Sequence, residues 1–165
     1  MSRQDALLER FLRYVAIPTQ SDPKAKTVPS NPNEFQLAEL LAEELRGLGF
    51  VDVEISEHAV LTAKLPSNLP EGRKAPVIGW MVHMDTVNAG LSPEIHPQVV
   101  RNYRGGDICL NPEKDIWLRT ADHPEIERYV GDDIVVSDGT SVLGADDKSA
   151  IANVMTAFDL SLIHI

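Results

Sequence analysis

The sequence predicts an α/β domain built from layers of helices and strands. Apolar side chains recur at helical spacing in residues 5–15 and again in residues 149–159. Between these helices, residues 76–83 form a nearly continuous apolar run, which is typical of a central strand covered on both faces. Helices that alternate with such a strand indicate a layered α/β architecture.

The N-terminal third is expected to contain two helices. The first covers Asp5–Val15 and ends before Pro18, because the residue before a proline avoids the helical region. The second is expected to start with Asn31 as its cap and Glu34 at the capping-box position. Gly49 is a suitable terminator because glycine tolerates a positive φ.

The strands are predicted from alternation and from short apolar runs. Val51–Ser56 alternates apolar and acidic residues, and Ala59–Leu65 is its expected hairpin partner. Residues 86–130 show no clear period and are too long for a simple connection. A short strand is predicted over Ile134–Val136, before the last helix, Ser149–Asp159.

Composition limits the possible function classes. The 165 residues suffice for one domain with a core, and 43 % of them are hydrophobic. The net charge of −10 argues against nucleic acid and against anionic membranes as partners, since both require a basic surface. The N-terminus does not read as a secretory signal, and Cys109, the single cysteine, fits a reducing compartment. We therefore expect a cytoplasmic protein.

His83 and Asp85 form the first motif with a chemical interpretation. Residues two apart on a strand point to the same side, so the carboxylate of Asp85 can hold one ring nitrogen of His83 while the other binds a metal. Ligands of α/β sheets also bind at strand ends. Taken alone, this pattern equally fits a histidine with a purely structural role.

The second motif is Gly144–Lys148, with two adjacent carboxylates at the start of a helix. Burying Asp146 and Asp147 together is costly unless a cation neutralises them, and one carboxylate could bridge two metal ions. The alternative is an aspartate cap followed by a solvated Asp147–Lys148 pair, and this segment alone favours that alternative.

Taken together, the motifs resemble a known family. The first motif is H-x-D-T at a strand end, and about 60 residues later G-x-D-D-K stands at a helix start. This combination resembles the zinc-dependent aminoacylase/carboxypeptidase/peptidase T superfamily. Residues 97–108 (PQVVRNYRGGDI) point within it to the peptidase T family. The resemblance covers residues 5–159. It implies part of a layered α/β/α zinc-exopeptidase catalytic domain, with a mixed sheet flanked by helices.

The resemblance assigns roles at matching positions. His83 would bind one zinc, and Asp85 would be the catalytic-site carboxylate that orients His83. Asp146 would bridge two Zn²⁺ ions, the number in a complete site. Asp147 would be the second family aspartate, joined to Asp146 by a cis peptide bond. A glutamate pair, a further aspartate and a histidine would follow residue 159.

These expectations divide the chain into two parts. Residues 1–159 are expected to be the N-terminal part of the zinc peptidase domain. Residues 160–165 match one reading frame of a transposon end used to prepare sequencing libraries, so we expect a tail foreign to the natural protein.

The resemblance implies release of the N-terminal residue from tripeptides by a water activated between two zinc ions. A dipeptidase or an N-acyl amino acid deacylase with the same zinc core is the alternative within the superfamily. A non-catalytic fragment is the alternative outside it, since two protein ligands are too few for a stable zinc site. We expect the isolated 165-residue chain to be inactive.

Overall fold

The computed structural model describes residues 2–164, with side chains up to Ser161. Its helices are α1 (Arg3–Val15), α2 (Asn33–Gly47) and α3 (Ala145–His164), with a 3₁₀ helix at Pro124–Tyr129. Its strands are β1 (Val51–Ile55), β2 (Leu61–Lys64), β3 (Pro97–Val100), β4 (Ile108–Asn111), β5 (Ile116–Leu118) and β6 (Ile134–Ser137). None of the described helices is long and apolar enough to cross a bilayer. Of the predicted tail, the side chains of residues 162–164 and all of Ile165 lie outside this description.

Local capping explains where the first two helices start. Helix α1 begins two residues earlier than predicted, because Ser2 and Asp5 form a capping box in which each side chain accepts the other's backbone N–H. Helix α2 begins at Asn33, later than predicted, and Pro32 provides no side-chain cap. The side chain of Asn31 accepts the backbone N–H of Asn33 at 3.0 Å, so it still satisfies one free donor.

The three helices and the loops beside them enclose a cluster that we call the helical core. Its buried members are Phe11, Tyr14, Val15, Ile17, Leu37, Leu41, Leu45, Phe50, Ile151, Ala152 and Met155. Burying a large apolar side chain contributes about 1.5–3 kcal/mol, so this cluster is the main stabilising feature of the described chain. At its edge, the Tyr14 hydroxyl donates to Glu44 at 2.8 Å, and Glu44 also pairs with Arg10 and Arg13.

The strands form three separate two-stranded antiparallel sheets. The predicted hairpin is confirmed as β1–β2, and the predicted strand at Ile134–Val136 is confirmed within β6. The predicted α/β class therefore holds for the described residues, but their sheets are small and antiparallel. The mixed sheet flanked by helices is not formed in residues 2–164. Among the described residues, a parallel backbone pairing is seen as an isolated bridge between Gln20 and Thr86.

The stretch without a sequence period, residues 86–130, contains short strands and tight turns. Strand β3 pairs with β6, and β4 pairs with β5, around the buried side chains of Tyr103, Ile108 and Ile126. Strands of three or four residues are too short to produce a recognisable alternation. We call residues 97–137, which contain both pairs, the ribbon module.

The turn between β3 and β4 explains the residues Tyr103–Gly106. The Tyr103 hydroxyl donates to the carbonyl of Gly106, and the Gly106 N–H donates to Glu127 at 2.8 Å. Gly105 has a φ of 88°, and a Cβ there would lie 3.3 Å from the Glu127 carboxylate. Glycine is thus required both for the backbone conformation and for the close approach of Glu127.

The prediction of a central strand at residues 76–83 is wrong for the described chain. This segment is extended but has no assigned strand partner, and residues 75–83 are all exposed. The side chains of Val77 and Met81 are 99 % and 96 % exposed. Apolar composition favours burial but does not supply a neighbour, and a strand exists only where another strand completes its hydrogen bonds.

Candidate metal centre

His83 lies at the end of the exposed 76–83 segment and faces the start of α3. Its Nδ1 lies 3.0 Å from the carbonyl oxygen of Asp85 and 3.1 Å from Asp85 Oδ1. Its Nε2 lies 3.0 Å from Asp146 Oδ1, and its backbone N–H donates to Asp147 Oδ2 at 3.3 Å. The structure therefore brings together the two motifs, which are more than 60 residues apart in sequence.

Asp85 is held from the opposite side by the loop that follows α1. The Ser21 hydroxyl lies 3.0 Å from Asp85 Oδ2. The backbone N–H of Ser21 donates to the Thr86 carbonyl, and the backbone N–H of Thr86 donates to the Thr19 carbonyl, both at 2.9 Å. The Thr19 hydroxyl donates to the Met84 carbonyl at 2.6 Å. These bonds fix the position of residues 84–86 relative to residues 19–21.

The start of α3 departs from helical geometry at both aspartates. Asp146 has φ −89° and ψ 103°, and Asp147 has φ −119° and ψ 20°. The peptide bond between them is cis, as predicted. Gly144, with φ 75°, brings this turn so near Thr86 that a Cβ on Gly144 would lie 3.0 Å from the Thr86 methyl group. Glycine therefore allows the two motifs to approach each other.

The hydrogen bonds of His83 determine its charge in this arrangement. Carboxylate and carbonyl oxygens only accept hydrogen bonds, so the contacts with Asp85 and Asp146 are both hydrogen bonds when each ring nitrogen carries a proton. Burial lowers the pKa of His83. Hydrogen bonds to Asp146 and to the Asp85 carbonyl raise it, as do the negative charges of Asp85 and Asp147, and the net result is a pKa above the ordinary value of 6.5. A metal ion at Nε2 would replace one of these protons.

Lys148 is buried behind the site, not solvated as the alternative for this motif suggested. Its side chain is 0 % exposed, and its Nζ donates to the carbonyl of Ile17 at 2.5 Å. Burial lowers the pKa of Lys148 from 10.5 to about 8. This bond joins the first turn of α3 to the residues that lead into the Thr19–Ser21 loop.

The donor atoms of His83 and Asp146 fit part of a zinc site. Imidazole nitrogen and carboxylate oxygen are both zinc ligands, and two ligands of one tetrahedral zinc lie about 3.3 Å apart when the bonds are about 2.0 Å long. The observed 3.0 Å between Nε2 and Oδ1 is close to that spacing. The described residues contain no group of three or more side chains placed to hold a metal ion. The two donors that the described residues bring together here are fewer than the three or four of a protein zinc site.

Ser21 and Thr19 contact the candidate site and were not singled out from the sequence, whereas Lys148 belongs to the G-x-D-D-K motif but its burial was not predicted. They support the site through contacts that span 64, 65 and 131 residues of sequence. Neither Ser21 nor Thr19 belongs to a spacing pattern that signals metal chemistry. A serine two residues after a threonine in a polar loop is a common local sequence, so only the folded chain identifies these contacts.

Comparison with known proteins supports the resemblance. No protein-family model matches the chain. A peptidase T-like protein of Yersinia pestis is 53 % identical over 155 residues, which cover 94 % of this chain and 37 % of that protein. A peptidase T-like protein of Rhizobium meliloti is 50 % identical over 156 residues, 94 % of this chain and 37 % of the relative. Peptidase T of Geobacillus kaustophilus is 43 % identical over 158 residues, 96 % of this chain and 38 % of the relative.

The extent of these matches defines what the likeness covers. The chain spans 37–38 % of the length of these three relatives, and each match covers nearly all of the chain. Identities of this size over about 155 residues show common descent. The chain is therefore homologous to a part of the peptidase T and peptidase T-like proteins.

Proposed function

We propose that the chain is part of a cytoplasmic zinc-dependent exopeptidase that releases the N-terminal residue from tripeptides. The observation that carries the proposal is the meeting of His83, Asp85 and Asp146 in a homologue of peptidase T. In the longer protein, we propose a layered α/β/α catalytic domain with a mixed sheet. Residues 1–159 would form its first part, and residues 160–165 would not belong to it.

Each of the three residues has a defined task in this proposal. His83 provides the Nε2 lone pair as a zinc ligand. Asp85 accepts a hydrogen bond from Nδ1–H, which fixes the tautomer that leaves the Nε2 lone pair free and makes the imidazole a stronger metal ligand. Asp146 provides a carboxylate that can bridge two ions. Two zinc ions, when bound, supply a water of lowered pKa and stabilise negative charge on the substrate carbonyl.

The exposure of these side chains supports a site that takes up further groups. His83 is 52 % exposed at its side chain, and Asp146 is 93 % exposed. The Asp85 and Asp146 carboxylates, one beside each ring nitrogen, orient the His83 imidazole even though it is open to solvent. Two ligands do not hold zinc tightly, so we expect the 165-residue chain to lose zinc on dialysis and to show no turnover.

The test compares substrates with a protein that extends this chain to the length of its relatives. We expect hydrolysis of tripeptides, with a much lower kcat/KM for dipeptides and N-acyl amino acids. A preference for N-acyl substrates would reject the proposed specificity. Turnover by the 165-residue chain, with stoichiometric zinc after dialysis, would reject the proposed incompleteness of its site.

A matched pair of histidine variants tests the assignment of the site. His83→Ala is expected to lower both zinc content and kcat/KM by at least about 100-fold, because it removes a ligand. His123→Ala is the control, since His123 is exposed and contacts only Glu125 through its side chain. Equal effects of the two substitutions would contradict the role of His83.

A further inference from the structure

The carboxylate of Asp85 has a separate partner on each oxygen. Its Oδ1 lies 3.1 Å from His83 Nδ1, and its Oδ2 lies 3.0 Å from the Ser21 hydroxyl. The Asp85 side chain is 46 % exposed, so packing alone does not fix its orientation. A carboxylate bound on one oxygen can rotate, whereas partners on both oxygens define its plane.

Ser21 is itself held firmly enough to serve as an anchor. Its backbone N–H donates to the Thr86 carbonyl, and Thr86 in turn donates to Thr19. The side chain of Asn31 donates to the Gln20 carbonyl at 2.9 Å, which attaches the same loop to the start of α2. The backbone of Ser21 therefore has a fixed position relative to residues 84–86.

The hydroxyl of Ser21 has two acceptors within reach and one proton to donate. The Thr86 carbonyl lies 3.0 Å from Ser21 Oγ, the same distance as Asp85 Oδ2. Hydrogen bonds to an ionised acceptor are roughly twice as strong as those between neutral groups. The carboxylate is therefore the favoured acceptor, and the serine proton points at Asp85.

We propose that Ser21 is a positioning residue for the metal centre: its hydroxyl holds the Asp85 carboxylate against His83 Nδ1 and so directs Nε2 toward Asp146. The role of Ser21 at a metal centre rests on the proposed function. The hydrogen bonds between Ser21, Asp85 and His83 can be tested without measuring turnover. Without the serine hydroxyl, the carboxylate can turn away and leave His83 Nδ1 with the neutral Asp85 carbonyl, 3.0 Å away. A neutral acceptor withdraws the Nδ1 proton less strongly, so Nε2 becomes a weaker ligand.

Nuclear magnetic resonance of the 165-residue chain tests this directly. The measured signals are the Nδ1 proton and nitrogen of His83, assigned by their loss in His83→Gln. A bond to a carboxylate moves this proton downfield and slows its exchange. We expect Ser21→Ala to shift the signal upfield or to broaden it by exchange, and Ser21→Thr, which keeps a hydroxyl, to restore it. Ser21→Cys keeps the side-chain size with a weak donor and should behave like Ser21→Ala, so it serves if Ser21→Ala does not fold.

A serine in the same loop provides the control. Ser30 Oγ accepts the backbone N–H of Asp22 and does not contact Asp85, so Ser30→Ala should leave the His83 signal unchanged. A wild-type signal in Ser21→Ala or Ser21→Cys would overturn the proposal. The proposal would also be overturned if Ser21→Thr failed to restore the His83 signal, or if Ser30→Ala lost that signal. The effect would then come from a change in the loop and not from the Ser21 hydroxyl.

Zinc affinity gives a second readout when the same substitutions are made in the longer protein, in which the remaining ligands would hold the metal. Changing a group that contacts a metal ligand costs roughly 10- to 100-fold in affinity, and Ser21 acts one contact further away, so Ser21→Ala should weaken zinc binding about 3- to 10-fold. Competition with a colorimetric chelator measures this. If the longer protein fails to cleave tripeptides while these results hold, the proposed function falls and the role of Ser21 stands.

Discussion

The helical core and the 76–83 segment have similar apolar composition and opposite environments. Leu37 in α2 is 0 % exposed, whereas Met81 is 96 % exposed. Helix α2 satisfies its own backbone and needs only a surface to pack on, which the β1–β2 hairpin and the rest of the helical core provide. Residues 76–83 need a neighbouring strand for each edge and a cover for each face. Within residues 2–164 no strand pairs with them, and Trp80, whose ring centroid lies 6.2 Å from that of Phe158, is still 65 % exposed.

The comparison shows that an apolar pattern specifies a helix more completely than it specifies a strand. A helix takes its hydrogen bonds from its own chain, so its stripe of apolar residues directly predicts its buried side. A central strand depends on partners elsewhere in sequence, and its apolar run does not identify them. His83 is at the end of this open segment, so the candidate metal centre lies where the two regions meet.

The largest expected effect tests whether the two regions differ in stability. Leu37→Ala should lower the free energy of unfolding by about 3 kcal/mol, because it leaves a cavity in the helical core. Met81→Ala should change it by less than about 0.5 kcal/mol, because the side chain is already in water. Urea denaturation followed by circular dichroism measures both. A loss above about 1 kcal/mol for Met81→Ala would mean that the segment is packed in solution.

The second effect concerns the charged group buried beside the helical core. Burial sets the pKa of Lys148 at about 8 in the folded chain, below its ordinary 10.5, so between these values the unfolded chain binds the extra proton. Its contribution to stability therefore rises as the pH increases from about 8 to 10.5, by on the order of 2 kcal/mol. Urea titrations at a series of pH values measure this rise.

Two lysine variants isolate the contribution of Lys148. Lys148→Met should remove the rise, because no buried ammonium group remains to be desolvated. Lys64→Met changes an exposed lysine on β2 and should preserve it. Since both variants lose one positive charge, the difference between their pH profiles cancels the general effect of net charge. Identical profiles would contradict the burial of Lys148.

The smallest effect on stability tests whether the 76–83 segment is open to other molecules. An extended apolar segment without a partner tends to pair with other chains. Val77→Lys combined with Met81→Lys should leave the free energy of unfolding within about 0.5 kcal/mol of the original chain and reduce self-association, because it adds like charges to the exposed surface. Sedimentation velocity over a concentration series measures the association.

The control for this double variant carries the same charge change elsewhere. Val28 and Val60 are also exposed, at 68 % and 57 %, and lie outside the segment. Replacing both with lysine should leave self-association nearly unchanged. If the two double variants reduce association equally, net charge and not the open segment controls it.

Local sequence was sufficient for much of the fold. The helices, the β1–β2 hairpin and the short strand at residues 134–136 follow from the period of the side chains and from nearby turn residues. Strands β3, β4 and β5 of the ribbon module could not be predicted in this way, because they are short and β3 pairs with β6 across more than 30 residues. The buried strand predicted at 76–83 failed because composition does not reveal a strand's neighbours.

The candidate site could also be predicted from the sequence only in part. His83, Asp85 and Asp146 could be singled out in two short motifs, but each motif alone left a purely structural role open, and the metal roles were assigned by the resemblance. The cis bond between Asp146 and Asp147 followed from the resemblance and is present. Ser21 and Thr19 could not be selected, since ordinary loop residues acquire their role only through contact with residues 84–86.

The sequence by itself indicated the candidate site residues, where the helices form and which proteins the chain resembles. These properties reside in side-chain types and in interactions between residues close along the chain. Only the tertiary structure decided that Ser21 holds Asp85, that Lys148 is buried against Ile17, and that residues 76–83 lie open. Burial and hydrogen bonding between distant residues depend on which surfaces the folded chain brings into contact, and no local pattern records that choice.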